Sequence, residues 1–395
     1  MLDSIILKPG KDVAVKHGHP WIFSGAISNM TGKVSPGALV LVLDSREVPL
    51  GVGYCNPKSG ITVRMLTRDP AEVINTAFFV KKISALKEFK ESWIDAATTN
   101  SYRVVFAESD GIPGLIVDKY NDVLVLQAHT AGIDVQKATI VEALKKVYSP
   151  RAIFERSDLS VRKIEGLPDQ PTGLLSGALE TTEVEIMENG LKFIVDIAKG
   201  QKTGFFMDQR ENRMAAAHYA KNRTCLNICS YTGAFSVAML QGGAKQVVNV
   251  DSSESANEMA RINYNLNKLE AIDEDFVVGD AFDALAGSKP GQFDLILLDP
   301  PAFSKTVKEA PQALKAYTKL NALAIEALPK NGILITSSCS GAVKEDDFMN
   351  AIRYAAERSG ATLRLLEKRA QPVDHAVNPS FPEGAYLKFF VFCKV

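Results

Sequence analysis

Two stretches of this chain hold residue types that can act on a small planar molecule. Phe293-Asp-Leu-Ile-Leu-Leu-Asp299-Pro-Pro-Ala-Phe303 reads as a buried strand that ends in an acid. Its two prolines, Pro300 and Pro301, then hold the chain extended and rigid. Such a loop can present the Asp299 carboxylate and backbone carbonyls to a flat ring. Ile335-Thr-Ser-Ser-Cys339-Ser-Gly341 reads as the next strand and puts a thiol on the same edge. Cys339 can attack an electron-poor ring carbon, and cysteine is also a common buried filler.

Three earlier strand ends suit an adenosine-containing ligand. Thr224–Ile228 runs into Cys229-Ser-Tyr-Thr-Gly233 and then a helix, and Gly233 would let backbone approach a ligand. The pattern is not G-x-G-x-x-G, which argues against a pyrophosphate-binding dinucleotide site. Asp251 ends the second strand, 18 residues after Gly233. It can accept from both ribose hydroxyls, as acids at this spacing do in dinucleotide folds, or it can cap a helix. Asp280 ends the third strand; it can accept from an adenine amino group or be an N-cap. Upstream, Lys199-Gly-Gln-Lys-Thr-Gly-Phe-Phe-Met-Asp208-Gln-Arg210-Glu-Asn-Arg213 suggests a lid or rim around its Phe-Phe pair. Arg210 can clamp a carboxylate there, or simply begin a charged helix.

The elements needed to position these residues are legible. Apolar strands at Thr224–Ile228, Gln246–Val250, Asp275–Val278, Leu295–Leu298 and Gly332–Ser337 alternate with helices at Ala234–Gln241, Ser255–Asn267 and Pro311–Ala327. That alternation predicts an α/β domain with a doubly wound parallel sheet, whose ligands bind beyond the carboxyl ends of the strands. Residues 1–70 are rich in Gly, Pro and short β-runs and predict a small barrel or sandwich. A helix is expected over 71–100. An α+β unit follows, with a hairpin turning at Asp118–Asp122, a helix over Ile133–Val147 and a tight turn at Asn189-Gly190.

Composition sets bounds. The 395 residues suffice for two or three domains, and 46% apolar with 23% charged residues is ordinary for a globular protein. There is neither a continuous apolar run of membrane-spanning length nor a signal-peptide pattern at the N-terminus, so a cytoplasmic, non-membrane protein is expected. The five cysteines fit neither zinc nor disulfide spacing, so reduced thiols and no metal are expected. A net charge of −1 neither supports nor excludes RNA binding through a local patch. Lys8, Lys11, Lys16, His17 and His19 cluster in sequence near Trp21 and could form such a patch.

Taken in order, these elements resemble the bacterial class I 23S rRNA methyltransferases with an N-terminal PUA domain, of the large-subunit rRNA (cytosine-5) type. His19-Pro-Trp-Ile-Phe-Ser-Gly25 and Glu108-Ser-Asp-Gly-Ile-Pro-Gly-Leu-Ile-Val-Asp118 carry the resemblance, as do Gly200–Arg210, Asn227–Gly233, Asp299–Ser304 and Ser338–Gly341. It covers essentially the whole chain. It implies a PUA-like RNA-binding barrel over 1–72, a central α+β domain over 73–182 and a Rossmann-like S-adenosylmethionine (SAM)-dependent methyltransferase over 183–395. By resemblance, Tyr231 and Gly233 line the methionine end of SAM, Asp251 holds ribose and Asp280 adenine. Asp208, Arg210, Asn227, Thr232, Ser252, Ala281 and Pro300 complete the expected cofactor site. Asp299 and Cys339 are the expected catalytic pair, with 23S rRNA as partner and a homodimer open through exposed β-edges.

One departure concerns the base. Many RNA cytosine-5 methyltransferases carry a second cysteine directly after the proline of this loop, where this chain has Ala302-Phe-Ser304. A related group with Asp-Pro-Pro-x-Phe-Ser loops modifies guanine without a covalent cysteine. A guanine-N methyltransferase and a noncatalytic RNA-binding protein with a vestigial SAM fold are therefore the alternatives.

Overall fold

The computed structural model describes residues 2–304 and 306–395. The chain packs into two units, each assembled from separated stretches. The first comprises Met1–Met187, Val195–Met207 and Val373–Gly384; the second comprises Glu188–Ile194, Asp208–Pro372 and Ala385–Val395. Short segments from late in the sequence thus pack with the N-terminal unit, a division that hydrophobic patterning along consecutive residues did not reveal.

The first unit begins with strands β1 (Asp3–Leu7), β2 (Trp21–Phe23), β3 (Ile27–Met30), β4 (Ala38–Leu43), β5 (Pro49–Cys55) and β6 (Ile61–Thr67), with the short helix α1 (Val13–Lys16) after β1. They form one six-stranded sheet in the order β2-β6-β5-β4-β1-β3. Alternate residues such as Val40 and Val42 point into a core with Ile5, Leu7, Ile22 and Val63. Helix α2 spans Thr76–Glu91, shorter than the expected 71–100. Asn75 starts it by accepting a hydrogen bond from the Phe78 amide at 3.1 Å.

A five-stranded sheet follows, in the order β11-β10-β9-β8-β7. Its strands are β7 (Ser101–Phe106), β8 (Leu115–Tyr120), β9 (Val123–Ala128), β10 (Ala152–Glu155) and β11 (Gly173–Gly177), with helices α3 (Ala131–Tyr148) and α4 (Val161–Ile164) between them. The expected turn at Asp118–Asp122 is only Asn121-Asp122, because β8 continues through Tyr120. Asp118 is fully buried in the strand and takes both arms of the Arg103 guanidinium, at 2.8 and 2.9 Å. It also accepts from the Thr203 hydroxyl at 2.6 Å, while the Tyr120 hydroxyl accepts from the Phe205 amide at 3.1 Å. Phe205 is buried, so the segment expected to be a lid is tied down at this point.

Strands β12 (Glu183–Glu188) and β13 (Leu191–Asp196) form a two-stranded sheet. Asn189 and Gly190 between them both have positive φ, 50° and 80°, as a two-residue type I′ turn requires.

The second unit holds a seven-stranded sheet in the order β16-β15-β14-β17-β18-β20-β19. Helix α5 (Arg210–Ala220) precedes β14 (Thr224–Ile228), α6 (Ala234–Gln241), β15 (Gln246–Asp251), α7 (Glu254–Leu266), β16 (Phe276–Val278) and α8 (Ala281–Gly287). Then come β17 (Leu295–Leu298), α9 (Ala310–Ala327), β18 (Ile333–Ser338), α10 (Glu345–Arg358), β19 (Leu363–Arg369) and β20 (Lys388–Lys394). The first five strands of this sheet are parallel, and β20 runs antiparallel to both β18 and β19. The chain steps outward from β14 to β15 and β16, then returns to β14's other side with β17. That reversal is a topological switch point. β17 is buried on both faces: Leu295 and Leu297 pack with α5 and α6 residues, Ile296 and Leu298 with α9 and α10 residues. Among the described residues no helix is long and apolar enough to cross a membrane.

Gly132, in the first turn of α3, provides a test of packing in the first unit. A Cβ there would sit 2.0 Å from Cγ of the buried Tyr54 ring. Tyr54 is itself held by hydrogen bonds with Pro113 and Thr130, so it has little freedom to move aside. We expect Gly132→Ala to destabilise the protein by about 1–3 kcal/mol despite alanine's better helix propensity. Urea unfolding followed by tryptophan fluorescence checks this; a midpoint equal to or above wild type would refute it.

Candidate active site

The candidate site lies at the carboxyl edge of the second unit's sheet. The β14–α6 turn is the most constrained part. Cys229, Tyr231 and Gly233 all have positive φ, at 60°, 47° and 75°. Two of these are not glycine, so the surroundings must hold the turn in place. Asp251 does much of this: one carboxylate oxygen accepts from the Tyr231 amide at 2.8 Å and the other from the Ser253 amide at 2.9 Å. Helix α7 is capped by Ser253, which accepts from Ala256, so Asp251 itself is not the N-cap. The Thr232 carbonyl accepts from the Asn263 side chain at 2.9 Å.

Gly233 differs from its expected use. A Cβ there would meet Ala260 Cβ at 2.9 Å, so the missing side chain makes room for helix α7. Asn227 also plays another part. It is fully buried, and its amide donates to Ser236 Oγ at 2.8 Å. Ser236 in turn donates to Asn249, which donates to the Tyr264 hydroxyl. This polar chain lies beneath the turn and supports it. By contrast, Ser230 Oγ and Thr232 Oγ1 are buried in the turn without a hydrogen-bond partner among the described residues. Buried hydroxyls rarely stay unpaired, and a ligand seated on the turn would satisfy them.

Asp280 caps helix α8, accepting at one oxygen from the Phe282 and Asp283 amides at 2.8 and 3.2 Å. Its side chain is exposed beside Ala281, which is half-buried, and Ser252 is exposed after Asp251. Asp251, Asp299 and Asp280 all act on the Cys229 thiol. Burial first, and then these three carboxylates, push it up to about 12. The three strand-end acids therefore converge on one edge, and Cys229 stays a thiol there at neutral pH.

Asp299 leaves β17 just after Leu298, which pairs with Thr336 on β18. Its Oδ1 accepts from Gln209 Nε2 at 2.9 Å and from the Ser337 hydroxyl. Gln209 is held in turn by Asn212, whose amide donates to Gln209 Oε1 at 2.6 Å. Asp208 accepts from the Tyr386 hydroxyl at 2.5 Å, and Arg210 is buried with its Nε donating to Glu211 at 3.2 Å. Pro300 is buried, Phe303 packs on Tyr317 with ring centroids 4.7 Å apart, and Ser304 accepts at its carbonyl from Ser340 Oγ at 2.8 Å. The Pro-Pro loop is thereby tied to the turn carrying Cys339, a half-buried thiol directly after β18.

Gln209, Ser337 and Tyr386 were not singled out in the sequence. Gln209 lies inside the Asp208–Arg210 motif, where an uncharged amide between an acid and an arginine carries no distinctive signal. Ser337 follows from strand alternation only once the β17–β18 register is known.

In the first unit, the basic cluster near Trp21 is partly neutralised. Lys16 pairs with Asp12 and Asp44, and His19 lies 3.4 Å from Glu383. The Trp21 indole donates to Glu108 at 2.8 Å and packs edge-on against Phe381 at 4.8 Å. Lys8, Lys11 and His17 remain exposed. Trp21 is thus largely a packing residue here rather than an open stacking platform. No cluster of three metal-ligating side chains occurs among the described residues.

Comparison with known proteins is in keeping with this geometry. Residues 143–392 match the S-adenosylmethionine-dependent methyltransferase family, and residues 5–68 match the PUA-like domain family. The chain is 39% identical over 393 residues to the ribosomal RNA large subunit methyltransferase I of Shigella boydii serotype 4, covering 99% of both chains. The Escherichia coli O139:H28 protein of the same name is equally similar, at 39% with 99% of both chains covered. Among solved structures, a SAM-dependent methyltransferase from Streptococcus mutans superposes with a TM-score of 0.84 at 24% identity over 100% of both chains. A methyltransferase crystallised with SAH superposes at 0.85, also at 24% identity and over 100% of both chains, which establishes the shared fold. With its PUA-like segment, its seven-stranded Rossmann-like sheet and this full-length similarity, the chain belongs to the ribosomal RNA large subunit methyltransferase I family of SAM-dependent methyltransferases.

Proposed function

We propose that this protein methylates carbon 5 of a cytosine in 23S rRNA through a covalent adduct on Cys339. The observation that carries the reading is the placement of Asp299 and Cys339 at the same ends of two adjacent parallel strands. The names of the full-length relatives supply the substrate class. The PUA-like segment within 1–72 is the proposed RNA-binding part, 73–182 the central domain and 183–395 the methyltransferase. The proposed workplace is the cytoplasm.

The turn residues fit the cofactor. Ser230 and Thr232 offer buried hydroxyls that lack partners among the described residues. Asp251 holds two backbone amides yet keeps lone pairs for ribose hydroxyls, since a carboxylate has about four acceptor sites. Asp280 uses one oxygen for its helix cap, and the other is directed in this reading to adenine. Asp208, Arg210, Tyr231, Ser252, Ala281 and Pro300 complete the proposed surroundings, with Asn227 and Gly233 acting as supports. When bound, SAM supplies an electrophilic methyl group.

Carbon 5 of cytosine is a poor nucleophile. Attack by the Cys339 thiolate forms a sulfur–carbon bond at carbon 6 and makes carbon 5 enamine-like. Carbon 5 then takes the methyl group and SAH departs. A base removes the carbon-5 proton, and the electron pair expels Cys339 as thiolate. Gln209 and Ser337 hold Asp299 at Oδ1, and in this reading its carboxyl, when protonated, hydrogen-bonds ring nitrogen 3 and offsets the charge that develops.

The second reading is methylation of a guanine nitrogen, which needs no adduct. It is favoured by the residues after Pro301, where Phe303 and Ser304 are engaged in packing and hydrogen bonding. Cys339→Ala separates the two. We expect it to lower methyl transfer to rRNA by at least 10³-fold, as losing a covalent nucleophile does. Tritium transfer from labelled SAM measures the rate, and mass-spectrometric mapping identifies the base. Near wild-type transfer by the variant, or a methylated guanine in the map, would eliminate the covalent cytosine mechanism.

For the cofactor turn, we expect Asp251→Asn to raise the SAM Kd at least tenfold by calorimetry. Asparagine has one acceptor oxygen where the turn uses two, so the variant must lose a backbone hydrogen bond worth about 1–3 kcal/mol. An unchanged Kd would remove Asp251 from the cofactor site.

A further inference from the structure

Lys388 is a lysine in a place where charge is expensive. It opens β20, only 6% exposed, at the start of the apolar run Phe389-Phe-Val-Phe392. Its ammonium donates to three backbone carbonyls: Ser340 at 2.5 Å, Tyr386 at 2.7 Å and Val343 at 2.8 Å. A lysine has three N–H donors when charged, so the cradle matches the protonated form bond for bond. A buried charge needs such compensation to be tolerated at all.

The location gives this charge a use. Lys388 pairs in register with Ser338, the residue just before Cys339, and two of its three carbonyls lie on the turn just after that cysteine. The third belongs to Tyr386, whose hydroxyl donates to Asp208. Ser340, on the same turn, also binds the Ser304 carbonyl of the Pro-Pro loop. One ammonium thus ties together the strand end, the turn carrying the thiol and the chain entering β20.

We propose that Lys388 is a positioning residue that fixes the Cys339 turn and supplies the positive charge favouring its thiolate, an inference that rests on the covalent reading above. Two electrostatic facts support it. Burial pushes the Lys388 ammonium down and Cys339 and then Glu345 offset part of that, which leaves it at about 8. Coulomb coupling is reciprocal, so the ammonium favours the thiolate as much as the thiolate favours the ammonium. Of the facing charges, Glu345 on α10 is paired with Lys368 of β19, which reduces its competition for Lys388. Cys229, at the other strand end, is in the opposite setting among three carboxylates. The two thiols at this edge are therefore sorted by their neighbours' charge.

The test is peptide-resolved alkylation of Cys339 by iodoacetamide as a function of pH, read by mass spectrometry on the full-length protein. In wild type the midpoint should lie below the ~8.5 of an unperturbed thiol. Lys388→Met should raise the midpoint by about one unit or more and slow alkylation at pH 7 about tenfold. Its kcat should fall by a similar factor at pH 7 and recover toward wild type at pH 9, where the thiolate forms unaided. Lys388→Arg, which keeps the charge, should restore the lower midpoint.

A wild-type midpoint at or above ~8.5 would overturn the proposal without any variant, so it stays testable even if Lys388→Met does not fold. A folded, SAM-binding Lys388→Met with an unchanged midpoint and a pH-independent loss of kcat would make Lys388 a loop staple only. Failure of the covalent reading is separate: there, Cys339→Ala retains methyl transfer whatever the alkylation midpoint.

Discussion

The register between β14, β17 and β18 governs what this protein can do. Leu298 pairs with Ile228 on one side and Thr336 on the other, so Asp299 emerges level with Cys229 and Ser337. The Ser337 hydroxyl can then reach the Asp299 carboxylate, and Cys339 follows two residues later. Slippage by one residue would turn Ser337 to the opposite face and send the apolar faces of β17 into the wrong cores. Burial enforces the register: Leu295, Ile296, Leu297 and Leu298 are all fully buried, alternating between two separate clusters. At about 1.5–3 kcal/mol per buried leucine or isoleucine, no slipped alternative competes. The candidate residues Asp299 and Cys339 thus sit at the end of a ladder whose alignment is set by hydrocarbon.

Electrostatics then differentiates two thiols that the ladder brings to one sheet edge. The strand ends of β14 and β18 each deliver a cysteine, at 229 and 339. Asp251, Asp280 and Asp299 surround the first, while a buried ammonium stands by the second. Identical side chains on one sheet edge therefore face differently charged neighbours. The arrangement also limits what the acidic residues must do, since Asp251 spends both oxygens on backbone amides and Asp280 spends one on a helix start. Both acids thus help to shape this edge of the sheet.

Much of this architecture was legible because it is local. Thr224–Ile228, Leu295–Leu298 and Ala234–Gln241 match the sequence reading end to end, since short apolar runs bounded by turn residues leave little ambiguity. Asp251, Asp280 and Asp299 were visible as acids at strand ends. What escaped was nonlocal. Lys388 sits in an apolar run and looks like a surface lysine until β20 is seen to lie antiparallel beside β18. Gly233 was read as room for a ligand, but only the packing of α7 shows that Ala260 occupies that space. Asn227 was read as a ligand contact, and its burial beneath the turn depends on Ser236 and Asn249 arriving from two other elements. The Phe205 anchor depends on Tyr120, 85 residues earlier.

The stretch Val373–Gly384 belongs to the N-terminal unit, where Phe381 packs on Trp21 and the Asp374 carboxylate accepts from the Arg103 amide at 2.9 Å. This has a consequence for biosynthesis. A ribosome that has finished Met187 must still make everything up to Gly384 before that unit can close. At about 5–20 residues per second, the nascent unit waits on the order of ten to forty seconds with part of its apolar surface uncovered. A segment made after most of the second unit thus completes the first unit to have begun folding, so a chain cut short before Gly384 would be damaged in its N-terminal unit as well as its C-terminal one.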